Sequence, residues 1–79
     1  MQFFVRTMEK HKTSPRTFCA EVICPGLSHA KAEAKRRVMQ STPEQMLQAD
    51  ACLRNGGQVR TKYRCHLDQQ GDFHEYVLG

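Results

Sequence analysis

A two-layer α+β fold is what this sequence predicts: an antiparallel sheet of about four strands, with two helices on one face, in the order β-β-α-α-β-β. Three observations lead there. Strand-type composition or alternation occupies two stretches near the start and two near the end, His29 to Gln40 runs without Gly or Pro, and Thr42-Pro43-Glu44-Gln45 spells a helix start. With 79 residues, 39% of them hydrophobic and 25% charged, the chain has the size and balance of one folded domain spanning 1–79.

The elements follow in order. Phe3 to Met8 is apolar and aromatic enough for a strand, and Glu9 to Arg16 is a polar loop containing Ser14-Pro15. Thr17 to Cys24 makes the second strand, and proximity in the chain pairs the two as a hairpin. Pro25-Gly26 ends that strand, and Ser28 is placed to cap a helix over His29 to Gln40. Leu27, Ala30, Ala34 and Val38 share one stripe of this helix, while Lys31, Lys35, Arg36 and Arg37 occupy the rest of its circumference and Glu33 can pair with Arg37 four residues on.

At Thr42, an N-cap hydroxyl, Pro at the first helical position, an early acid and Gln45 three residues on predict a second helix reaching about Arg54, with Asn55-Gly56-Gly57 as its left-handed exit. Gln58 to Leu67 then alternates strictly. Val59, Thr61, Tyr63, Cys65 and Leu67 fall on one side and Arg60, Lys62, Arg64 and His66 on the other, so cationic heads would repeat at roughly 6.5 Å along one face. A turn over Asp68-Gln69-Gln70-Gly71-Asp72 leads to a last strand, Phe73 to Leu78. A two-residue Gln70-Gly71 turn would pair His66 with Glu75, and a five-residue loop would pair His66 with His74.

Charge is distributed unevenly. Residues 1–40 hold eight Lys or Arg against three acids, and residues 41–79 hold four against five, so the formal +4 resolves into +5 and −1. Such a balance suits a polyanion or an acidic protein surface as partner. The expected contact residues are Arg60, Lys62, Arg64 and His66 on the alternating strand, Lys10, Lys12 and Arg16 on the first loop, and Lys31, Lys35 and Arg36 on the helix. Tyr63 alternates away from the arginine row and only Tyr76 can join it, a pattern that disfavours an RNA-recognition platform built on exposed aromatics.

Several chemistries lack their residues. The chain contains no Cys-x-x-Cys pair and no His-x-x-x-His pair, so no metal or other cofactor is expected. Cys65 and His66, adjacent on a strand, point to opposite faces and cannot act as nucleophile and base. Gly56-Gly57 stands at an expected helix exit, where the dipole repels phosphate. The expectation is therefore a protein that is not an enzyme. No leader-like segment or apolar run of membrane-spanning length is present, so a cytoplasmic location, no membrane contact and four free thiols are expected. Cys19 and Cys24, five apart on one strand, would face opposite ways. The small core is compatible with a homodimer through a sheet edge made by the Phe3 or the Phe73 strand.

Phe3-Phe4-Val5, then Phe18-Cys19-Ala20-Glu21-Val22-Ile23, then Ser28-His29-Ala30-Lys31-Ala32-Glu33-Ala34-Lys35 resembles the strand, strand, Ser-capped Ala/Lys helix opening of many very short phage-encoded proteins. Some anti-CRISPR proteins are similar in this respect. The resemblance implies a non-catalytic inhibitor or regulator that occupies a surface of a nucleic-acid-handling complex, and it transfers no functional residues. Together these readings lead to a small basic interaction protein that docks through its basic strand face on an acidic protein surface or a ribonucleoprotein. The alternative is a regulator that binds duplex nucleic acid directly.

Overall fold

A computed structural model describes residues 1–9 and 17–78, with residues 17–19 followed by their backbone alone. Strands β1 (Gln2–Glu9) and β2 (Thr17–Cys24) precede helix α1 (Leu27–Gln40), a single 3₁₀ turn (Pro43–Gln45), and strands β3 (Gln48–Asn55), β4 (Gln58–Leu67) and β5 (Phe73–Val77). The five strands form one antiparallel sheet in the order β2-β1-β3-β4-β5. Strands β2 and β3 both run antiparallel to β1 and so parallel to each other, and α1 links them across it as a split β-α-β unit.

The expected two-layer α+β class holds in outline, but among the described residues the sheet has five strands rather than four, with one helix rather than two. The predicted second helix is where they part. Its capping box forms, with Thr42 and Gln45 bonded reciprocally and Pro43 in the first turn, yet the turn ends after three residues as Met46 adopts φ 49, ψ 42. From Leu47 to Ala51 the chain alternates apolar and polar, and Arg54 resumes the polar side after the apolar Cys52, a pattern that suits a half-buried strand better than a helix. The alanines of that run have high helix propensity, but the close approach of α1 places them in the middle of a sheet. Asn55-Gly56-Gly57 accordingly makes no helix exit. Asn55 pairs with Gln58 around a two-residue Gly56-Gly57 turn, with the positive φ of 61° at Gly56 that such a hairpin requires.

Helix α1 begins two residues earlier than expected, at Leu27. Its N-cap is Gly26, without a side-chain cap, rather than Ser28. Its stripe is the expected one: Ala30, Ala34 and Val38 are fully buried, with Leu27 packed beside them. They lie on Val5 of β1, Ala49 and Ala51 of β3, and Tyr63, Cys65 and Leu67 of β4. Alanine against alanine brings the helix axis close to the sheet, so this layer gains its cohesion from fit rather than from large side chains.

The β4–β5 register is also settled. Asp68 to Asp72 forms the five-residue loop, held by the Asp68 carboxylate accepting the backbone N–H groups of Gln70 and Asp72, each at 2.9 Å, and His66 pairs with His74. The Phe3 strand is interior, between β2 and β3, and so cannot serve as the expected dimerising edge; the Phe73 strand does lie at an edge. Among the described residues no helix is long and apolar enough to cross a membrane.

Candidate binding face of the sheet

Because α1 covers one side, the other side of the sheet is built by the alternate residues of each strand. One row crosses all five strands in register: Glu21 on β2, Arg6 on β1, Asp50 on β3, Arg64 on β4 and Tyr76 on β5. At its centre Asp50 is 0% exposed although it carries a carboxylate. Both neighbouring strands answer that charge. Arg64 donates through Nε and Nη2 to the two carboxylate oxygens at 3.0 and 3.2 Å, and Arg6 Nε approaches at 3.3 Å. Gln48 adds a hydrogen bond to Asp50 at 3.1 Å. The carboxylate is thus paired and hydrogen-bonded, as burial of an ion demands. The hydrogen bond to Asp50 also raises the Arg64 pKa further, so its charge is permanent.

Two guanidiniums against one carboxylate leave this set with a net +1. Their side chains are 34% and 38% exposed, so their outer edges remain available to solvent or to a ligand. Arg6 also reaches the Thr61 hydroxyl at 3.1 Å. That contact exists because of a β-bulge: the pairs Ala51↔Tyr63 and Cys52↔Thr61 leave Lys62 as an extra residue on β4.

The bulge corrects the strict alternation expected of this strand. Thr61 joins the side of Arg6 and Asp50, while Arg60 pairs with Leu53, which shares the helix side of β3 with Ala49 and Ala51. Arg60 and Arg64 therefore stand on opposite sides of the sheet. A single row of Arg60, Lys62, Arg64 and His66 does not form.

On either side of the central row the open face continues differently. Toward the β3–β4 turn, Arg54 lies over the Phe4 ring at 4.3 Å, and its guanidinium donates to Gln2 at 2.7 Å and to Glu21 at 3.0 Å. Phe4 is thereby only 1% exposed on a face with no helix over it. Toward the other end, the His66 ring stacks between His74 and Tyr76, with centroids 5.0 and 5.9 Å away and interplanar angles of 16° and 15°. His74 is also bonded to Asp68 at 2.8 Å, a contact that lowers the Asp68 pKa. Tyr76, cross-strand from Arg64, is 47% exposed.

The remaining expected contact residues lie in the other layer or outside the described residues. Lys35 pairs with Glu75 at 3.4 Å, and Lys31 and Lys35 stand 6.0 and 5.7 Å from the centre of the Tyr63 ring. The Tyr63 hydroxyl donates to Glu75; burial, with this bond, holds the phenol protonated, and the same bond lowers the Glu75 pKa. Arg36 is engaged by Glu33 at 3.0 Å and by Gln40 at 3.0 Å. Lys10, Lys12 and Arg16 lie outside the described residues. The structure thus brings Arg64 and His66 to one face beside Tyr76, the aromatic that the sequence allowed to join them, and it adds Arg6, Asp50, Arg54 and Thr61, which sequence reasoning missed. The signal that could have found Asp50 is a lone acid within an alternating run.

Little here suits group transfer. Burial pushes the Cys65 thiol up to about 11 and raises Cys24 and Cys52 as well, which keeps these sulfurs protonated and poorly nucleophilic. Cys24, Cys52 and Cys65 are free thiols, and among the described residues no three His, Cys, Asp or Glu side chains converge as metal ligands. What the open face offers is planar cations held in place beside planar rings. Comparison of the chain with protein-family models, with curated proteins and with solved structures finds no match.

Proposed function

We propose that the protein is a non-enzymatic interaction module, in the manner of small phage-encoded inhibitors and regulators, that docks on a nucleic-acid-handling complex through the open face of its sheet. The observation that supports this most is Asp50, fully buried where no helix covers the sheet, with Arg6 and Arg64 fixed on either side of it. A surface that needed only to be wetted would not require a buried carboxylate, whose desolvation costs several kcal/mol, on the order of what its partners return. Guanidiniums held this way lose little further freedom on binding an anionic or planar partner.

The test is affinity capture from an extract of the source organism, with nucleic acid and protein both identified in the bound fraction. Tyr76→Ala with Arg64→Gln on the open face should abolish capture of a ribonucleoprotein or other nucleic-acid-handling complex. Lys31→Ala with Arg36→Ala on the helix should leave capture unchanged. The opposite pattern, with the helix pair required and the sheet pair dispensable, would overturn the reading.

A further inference from the structure

Resting on the reading above and deepening it, we infer that the open face binds single-stranded nucleic acid, with a base stacked on Tyr76 and the adjoining phosphates at Arg64 and Arg6. Two independent features converge on this ligand. One is the ring column His74, His66, Tyr76, nearly parallel throughout and ending in a tyrosine that is about half exposed. The other is the arginine pair, which begins at Tyr76's own cross-strand partner and continues across β3.

Nucleobases are flat and stack on aromatic faces whatever their sequence, and the phosphates between them accept from guanidinium. The two features sit side by side in one register row, so a strand lying across β5, β4 and β1 would meet ring and cations in turn. A duplex offers no such fit to the ring column, because its base faces are already buried in their own stack. An acidic protein surface would use the guanidiniums but leave the ring column without a role.

Asp50 acts here as a positioning residue. It spreads Arg6 and Arg64 to its two sides and reduces their summed charge to +1, which favours a modest phosphate contribution beside a substantial stacking one. The salt dependence should therefore be shallow. Two phosphate contacts on a single strand correspond to a loss of about sevenfold in affinity between about 50 and about 200 mM salt.

Fluorescence anisotropy of labelled oligouridine and oligothymidine of about ten nucleotides, with a duplex of the same length as control, tests the inference. The chain contains no tryptophan and Tyr63 is buried, so quenching of tyrosine emission on titration reports stacking at Tyr76. Expected are preference for single strands over duplex, quenching, a roughly tenfold loss for Tyr76→Ala and retention by Tyr76→Phe. Tyr76 lies on an edge strand with its side chain outside the core, so both variants should keep the wild-type thermal transition, which is checked alongside.

Absence of single-strand binding at about 50 mM salt, equal binding to duplex, or full affinity in folded Tyr76→Ala would each overturn the inference. If the open-face variants still lose the captured complex in that case, the inference alone fails and the broader reading stands. If capture is indifferent to them as well, both fall. Binding to oligouridine alone, oligothymidine alone or both supports the inference and distinguishes RNA from DNA as the ligand.

Discussion

On the side covered by α1, the sheet presents Val5, Ala49, Ala51, Tyr63 and Cys65 to Ala30, Ala34 and Val38, all of them buried and nearly all apolar. On the other side it presents Arg6, Asp50, Arg54, Arg64, Phe4 and a column of rings, held by directed bonds at 2.7 to 3.3 Å. The first side is cemented by volume, so it should respond to size and ignore charge. Among the described residues no helix lies over the second to exclude water, and its apolar floor is covered by arginine side chains fixed by acids. Phe4 beneath Arg54 and Asp50 between two arginines are two forms of that solution. The helix side spends most of its groups on holding the fold together, whereas the open side keeps partly exposed guanidiniums and a half-exposed tyrosine.

The sharpest way to break this comparison is Asp50→Ala. Removing the carboxylate sets two guanidiniums side by side with no counter-charge, and urea unfolding should show a loss of about 3 kcal/mol, moderated because both arginines can rehydrate. Unchanged stability would mean that the open face is held by something other than the buried charge. Next in size is Ala34→Leu, which forces a larger side chain between α1 and β3 and should cost about 1–3 kcal/mol by overpacking. A tolerated Ala34→Leu would remove the claim that fit governs the helix side.

The smallest effect concerns the exposed ladder of α1. Hydrogen bonds from Arg36 and then Arg37 hold the Glu33 carboxyl at about 2, below its ordinary value of 4.5. A depressed carboxylate stabilises the folded state fully above its unfolded value and loses that contribution as pH falls toward the folded one. Melting temperature should therefore decline for this reason between about pH 4.5 and about pH 2, and Glu33→Gln should reduce the slope there while costing only about 0.3–0.5 kcal/mol near neutrality. A Glu33→Gln profile parallel to the wild type throughout that range would show that the ladder contributes nothing.

Much of the fold could be read directly. The bounds of β2, the apolar stripe of α1 and the pairing of β1 with β2 all follow from local periodicity and chain proximity. The second helix misled because its signals were real but local: a capping box can close one 3₁₀ turn and stop there, and alanine favours a helix only where packing does not decide otherwise. The alternation from Leu47 to Ala51, resumed at Arg54 after the apolar Cys52, was the stronger indication.

The candidate face was less legible, for a reason visible at Lys62. A bulge leaves no mark in the residue pattern, yet a single extra residue exchanges the sides of everything beyond it, so Arg60 and Arg64 part company. Arg6 and Asp50 are 44 residues apart in the chain and meet only because β3 inserts between β1 and β4. Likewise Tyr76 reaches Arg64 and His66 only once the five-residue loop is chosen over the two-residue turn.

The sequence by itself determined the basic charge, the α+β class, an amphipathic Ala/Lys/Arg helix and alternating strands, because composition and period act over neighbouring residues. The tertiary structure alone decided which side of each strand is open, which cations are neutralised and which rings stand beside them. Those depend on strand order and register, set by long-range pairing that no local stretch of chain encodes.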